Sequence, residues 1–184
     1  MYPFWLDFDE KTNEFVKILE KVKLVQRIFT MAETMIHEVL EKASELKTKT
    51  EKKEYLLKNN SKPLRNILKG GFDKSVIFIL PKGSPPYRKD DAPKGLEPNN
   101  LFRLSSRFKY FFKGGLGEQM PAARREKMFI DILESLHPEE AELVIAMKEK
   151  KLVGKYKGIT KNLVKEIWPT LIADGDTTSE IEEK

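Results

Sequence analysis

The sequence predicts a mainly α fold: a compact multi-helix domain with at most one short strand, a long proline-rich loop and an N-terminal helical arm. Three observations predict it. Apolar residues recur every three or four positions through most of the chain. Helix start and stop signals bracket those stretches, and only Val76–Leu80 is β-branched and aromatic enough for a strand. At 184 residues and 40% hydrophobic content, the chain can bury one core with an arm appended.

From Phe15 through Val22, Phe29, Ile36 and Ala43 to Leu46 the apolar spacing alternates three and four, the seam of a helix. Leu19, Ile28, Met35 and Leu40 widen that seam toward a globular face. Thr30–Glu33 reads as a capping box, so the stretch is either one long helix or two meeting near Thr30. Residues 1–47 are accordingly assigned to the arm and 48–172 to the helical domain. Thr48–Glu51 is a second capping box, opening a helix that runs to Asn59. Ser61 and Pro63 start another, with Leu64, Ile67 and Leu68 inward and Gly70 placed as a left-handed cap. Val76–Leu80 is either a short strand or a buried extended segment.

Residues 81–100 are rich in proline, glycine and charge, and Pro85, Pro86 and Tyr87 favour an extended, partner-docking path. A helix is predicted from Asn99 to Lys113, ended by Gly114–Gly115, with Leu101, Leu104, Phe108 and Phe111 inward. Of Phe102 and Phe112, one is expected as an exposed anchor. Pro121 starts a helix carrying Met128, Phe129, Ile132, Leu133 and Leu136, and His137–Pro138 breaks it. Pro138 begins the next, with Glu139 and Glu140 at its positive end and Leu143, Val144 and Met147 inward. Thr160 caps a last helix that buries Leu163, Val164 and Ile167, and Pro169 stops it. Residues 173–184 form an acidic tail expected to be disordered.

The net charge is +5 with no cysteine, which excludes disulfides and thiolate metal sites and favours acidic partners. The longest apolar run is far too short to cross a bilayer, and no membrane association is expected. His37 and His137 lack a metal-binding spacing, and the glycine pairs lack the ending of a phosphate-cradling loop. Asp90, Asp91 and Lys94 sit in a loop with no frame for a nuclease-type metal. No catalytic, cofactor or metal residues are therefore assigned, and a non-enzymatic protein is expected. Two basic clusters are the candidate contacts for nucleic acid or an acidic partner. One is Arg103, Arg107, Lys109, Tyr110 and Lys113; the other is Lys148, Lys150, Lys151, Lys155, Tyr156, Lys157, Lys161 and Lys165, with Tyr156 available for stacking.

Four strings carry a resemblance: Leu64 to Asp73 (LRNILKGGFD), Phe78 to Tyr87 (FILPKGSPPY), Glu134 to Lys151 (ESLHPEEAELVIAMKEKK) and Tyr156 to Pro169 (YKGITKNLVKEIWP). Together, in this order over about Met31 to Ala173, they resemble a family of uncharacterised proteins of tailed myoviruses, especially those infecting marine cyanobacteria. The relatives begin near Met31, so residues 1–30 are either an upstream extension or a true helical arm. The resemblance implies a phage-encoded protein acting in the host cytoplasm, and it supplies no catalytic residues. The expected function is an accessory protein docking on the replication or transcription machinery or on a host target. The alternatives are a nucleic-acid-binding factor, and a virion or assembly component that oligomerises through its N-terminal helix.

Overall fold

Helix caps divide the chain much as its sequence suggests. The computed structural model describes residues 34–91, 93 and 95–173. The seam before residue 34, the Thr30–Glu33 box and the acidic tail after Ala173 lie outside the described residues. The structure is mainly helical, with eight α-helices among the described residues: α1 (Ile36–Glu45), α2 (Lys49–Lys58), α3 (Lys62–Phe72), α4 (Leu101–Leu104), α5 (Ala122–Glu134), α6 (Pro138–Lys148), α7 (Leu152–Lys155) and α8 (Lys161–Ile167). From Met35 on, they belong to one compact unit.

Cap chemistry sets the starts. The Thr48, Ser61 and Thr160 hydroxyls accept the Glu51, Leu64 and Leu163 amides at 3.2, 3.4 and 3.3 Å. Glu51 completes its box by accepting the Thr48 amide at 3.0 Å. Asn100 caps α4 through its side-chain oxygen, which accepts the Arg103 amide at 3.2 Å.

Helix α6 is the centre. It packs against α1, α3, α5 and α7, and its buried residues Glu140, Ala141, Leu143, Val144, Met147 and Lys148 form one broad face. The end of the seam, α1, is part of this body and buries Ile36, Val39, Leu40 and Ala43 against α2 and α6. Helix α8 closes the other side against α2.

Three expectations need correction. Gly70 is not a cap: α3 runs on to Phe72, and neither Gly70 nor Gly71 has a positive φ. Both glycines are close-approach positions. A β-carbon would lie 2.5 Å from Met147 Sδ at Gly70 and 2.1 Å from Leu152 Cδ1 at Gly71. Second, the helix expected over Asn99–Lys113 leaves the α form after Leu104 and becomes a 3-10 helix, Ser105–Tyr110. Ser105, Phe108 and Phe111 are buried at three-residue spacing, which a 3-10 helix keeps on one line. Gly114 takes φ +76° and the chain folds back, with Gly117 so close that a β-carbon would meet Tyr110 O at 1.9 Å. Third, Val76–Leu80 is neither the short strand nor the buried extended segment that its sequence allows: Ile77 is exposed and the rest only partly buried. It makes an isolated antiparallel bridge, Phe78 with Phe112, flanked by Ile79 N to Phe111 O at 2.9 Å and Lys113 N to Ile77 O at 2.8 Å.

Residues 81–91 run extended over the body as a strap. The Glu149 carboxylate accepts the Gly83 amide and that of Glu134 accepts the Arg88 amide, both at 2.9 Å, while Lys89 pairs with Glu142 at 2.8 Å. Arg125 pins the neighbouring turns, donating to the Ile79, Gly117 and Met120 carbonyls.

Candidate functional site

Lysine divides into two populations. One group, in which Lys52 and Lys148 are buried and Lys150 is exposed except at its tip, donates to the main-chain carbonyls of neighbouring segments. Lys52 donates to Ala43 O and Ser44 O at the end of α1, at 2.8 and 2.7 Å. Lys148 is buried, donates to Pro81 O at 2.7 Å and pairs with Glu149. Lys150 donates to Gly70 O and to Asp73 O, and its ammonium lies 5.5 Å from the Phe78 ring centroid. Burial holds the Lys150 ammonium below the usual lysine range, against the pull of Asp73. Satisfied this way, Lys148 and Lys150 are structural ties.

The second basic cluster is therefore thinner than its sequence suggests. Lys155 pairs with Glu142 at 3.1 Å, Lys161 and Lys165 are half-buried, and Lys151 and Lys157 are exposed. Tyr156, expected to stack on bases, is only 1% exposed. Its hydroxyl is buried without a hydrogen-bond partner among the described residues, and burial first, then Glu41 and Glu139, pushes its pKa up. Lys89, Lys151 and Lys155 do line an open recess of about 720 Å³, but Glu142 and Glu149 line it with them. Its field is mixed.

The first cluster fares differently. Arg103, Arg107, Lys109 and Lys113 are exposed, and Tyr110 is half-buried with the Lys109 ammonium 5.8 Å from its ring centroid. Lys109 lines a groove of about 430 Å³ between α3 and the 3-10 helix. Lys62, Asn66 and Lys69 reach that groove from one face of α3, at successive turns, and Ser105 and Ser106 face them. Among the described residues no carboxylate lines it. The α3 side of this groove is absent from the sequence-based candidates, because Lys62 and Lys69 lie some forty residues from the arginines. The one available signal was their seven-residue spacing, two helical turns.

Neither Phe102 nor Phe112 is a free anchor. Both are half-buried and pack against the core, and Phe112 meets Phe78 edge-on at 5.0 Å. In the strap, Pro85 and Tyr87 are half-buried and Pro86 is exposed. Tyr87 packs against the core, and burial raises its pKa. The strap thus clasps this chain's own helices.

At the opposite pole of the hydrogen-bond network, Glu140 is 1% exposed and accepts two main-chain amides that open other helices. Its Oε1 takes Ile36 N of α1 at 3.1 Å, and its Oε2 takes Leu101 N of α4 at 3.2 Å. Burial pushes its pKa up, against these two amides. Beside it, buried His37 bonds Glu139 Oε2 through Nε2 at 2.8 Å and stacks on His137, with ring centroids 5.3 Å apart and planes 4° apart. His137 Nδ1 accepts the Glu139 amide at 3.3 Å and so caps α6. The fold brings His37 to residues a hundred positions away.

Residues 39–154 match the model of a family described as a family of unknown function (DUF6433). The match spans more than half of the chain, which therefore belongs to that family. No curated protein matches the sequence.

Proposed function

We propose that this member of the family of unknown function works by binding, and that the surface it uses is the groove between α3 and the 3-10 helix, occupied by the phosphate backbone of a nucleic acid. One observation carries the reading. Three lysines from two elements, Lys62 and Lys69 of α3 and Lys109 of the 3-10 helix, face one recess with neutral donors Asn66, Ser105 and Ser106 and no carboxylate among the described residues. Cations flanked by hydroxyl and amide donors suit phosphate oxygens, which need charge and directed hydrogen bonds together. Arg103 and Arg107, exposed on the adjoining turns, extend the positive field. The reading rests on phosphate contacts, which carry no sequence information, so the binding proposed is sequence-tolerant. The setting we propose is the cytoplasm of a phage-infected bacterium, on the strength of the four strings above.

The test is fluorescence anisotropy with labelled single-stranded DNA and RNA. With three phosphate contacts on a single strand, affinity should fall on the order of 20-fold between 50 and 200 mM salt. The double variant Lys69→Glu, Lys109→Glu should lose binding. An absence of binding to either nucleic acid at low salt refutes the groove reading.

A second reading, docking on a protein of the replication or transcription machinery or on a host target, is favoured by a separate observation: Leu96 and Leu116 are 71% and 62% exposed. Capture from infected cells that survives nuclease treatment, with no binding to free nucleic acid, would support it. The reading as a virion component rests on a seam outside the described residues.

A further inference from the structure

We infer that His37, His137 and Glu139 form a Zn2+ site that clasps α1 to the start of α6. One donor atom from each of these residues can be chosen so that all three lie within 4.8 Å of one another. Two imidazoles and a carboxylate are the donor set of three-ligand zinc sites that leave a fourth position to water.

The surroundings separate this cluster from an ordinary buried hydrogen bond. A single carboxylate would satisfy the Nε2 of a buried histidine, and Glu139 already does so. The second imidazole, stacked nearly parallel on the first, brings a third Lewis base to the same point. The three residues also differ in freedom in the way an entry-accessible site needs. The His37 side chain is 4% exposed and fixed, whereas that of Glu139 is 52% exposed and His137 is half-buried. Zinc holds its donors at about 2.0–2.2 Å. The two more exposed ligands must therefore rotate inward, while His37 stays on the helix that anchors it. Binding through His137 Nε2 gives up the long cap bond at Nδ1.

The local field favours a cation. Glu38, Glu41, Glu139 and Glu140 together place negative charge at this corner. Lys155 is the opposing charge that acts on Glu41. A divalent ion relieves the remaining repulsion and takes the place of the proton between His37 and Glu139, so its affinity falls as pH drops. The ligands come from positions a hundred residues apart, so the site exists only in the folded chain, and the ion stabilises the fold. The inference is independent of the groove.

The test uses the full chain, stripped by a chelator, dialysed against metal-free buffer and titrated with ZnCl2 alone. One equivalent of Zn2+ should bind per chain and raise the melting temperature. Co2+ in its place should give the intense visible bands of a four-coordinate ion. Two variants spare the fold. In His137→Asn the new residue is itself a good helix cap, and Glu139→Gln changes an exposed side chain; circular dichroism confirms folding. Each should weaken Zn2+ binding at least roughly tenfold. No saturable binding by the wild type, or a change of less than about tenfold in either folded variant, overturns the site.

Discussion

Lys150 takes φ 57° at the end of α6, where glycine usually sits. Its amide bonds Met147 O and that of Lys151 bonds Ala146 O, the two bonds of a Schellman ending. A side chain in this left-handed region costs about 1–2 kcal/mol. The offset is that Lys150 also reaches the Gly70 and Asp73 carbonyls, which terminate α3. The two contributions can be separated. Lys150→Ala keeps the backbone strain and loses the carbonyl bonds, with an expected loss of about 2–3 kcal/mol. Lys150→Gly loses the same bonds but relieves the strain, and should be about 1 kcal/mol less damaging in urea denaturation. Equal losses in both would show that the strain is negligible. Sequence placed Lys150 in a solvated basic corner, since nothing in a lysine run marks which member will find a carbonyl. That requires knowing that α3 ends beside α6.

Elements were more legible than their contacts. The capping residues Thr48, Ser61 and Thr160 and the prolines at 121 and 138 place five helix starts within a residue or two, because caps act over three or four positions that a sequence displays. Gly70 and Gly71 were misread for the opposite reason. Their role depends on Met147 and Leu152, which arrive from α6 and α7. This yields a graded expectation. Gly71→Ala forces a methyl group into the branched Leu152 side chain and should cost about 1–3 kcal/mol. Gly70→Ala meets the flexible Met147 thioether, and the gain in helix propensity, about 1 kcal/mol, should leave it near neutral. Thermal melts of the two variants check the order; a Gly71→Ala protein as stable as Gly70→Ala would contradict the packing.

At the scale of the molecule, long-range polar ties join segments that packing alone would leave loose. Asp73 is 1% exposed and ties the end of α3 to the segment after α8: its Oδ1 accepts from the Ser75 amide and hydroxyl, and its Oδ2 from Ala173 N at 3.3 Å. Burial raises its pKa, but these hydrogen bonds outweigh it and hold the carboxyl below the usual range. A depressed carboxyl contributes stability in full above its unfolded value, near 4, and loses it as pH falls through the folded value. Asp73→Asn should therefore be about 1–2 kcal/mol less stable at pH 7, with the gap closing as acid protonates the wild type. Denaturation series at neutral and acid pH measure it, and a gap that widens in acid would reverse the assignment. Fold class and inward faces were readable from periodicity. The convergence of His37 with His137 and of Lys62 with Lys109 was not, because both depend on tertiary order.

One buried side chain also imposes a schedule. The first amide of α1 waits for a carboxylate 104 residues downstream. At a synthesis rate of about 5–20 residues per second, that partner leaves the ribosome some 5–20 s later. Through that interval the opening helix lacks its anchor, and so does α4 for the shorter wait of 39 residues. Both helices gain their Glu140 bonds only once α6 has emerged, so these two ties are among the later contacts open to the nascent chain.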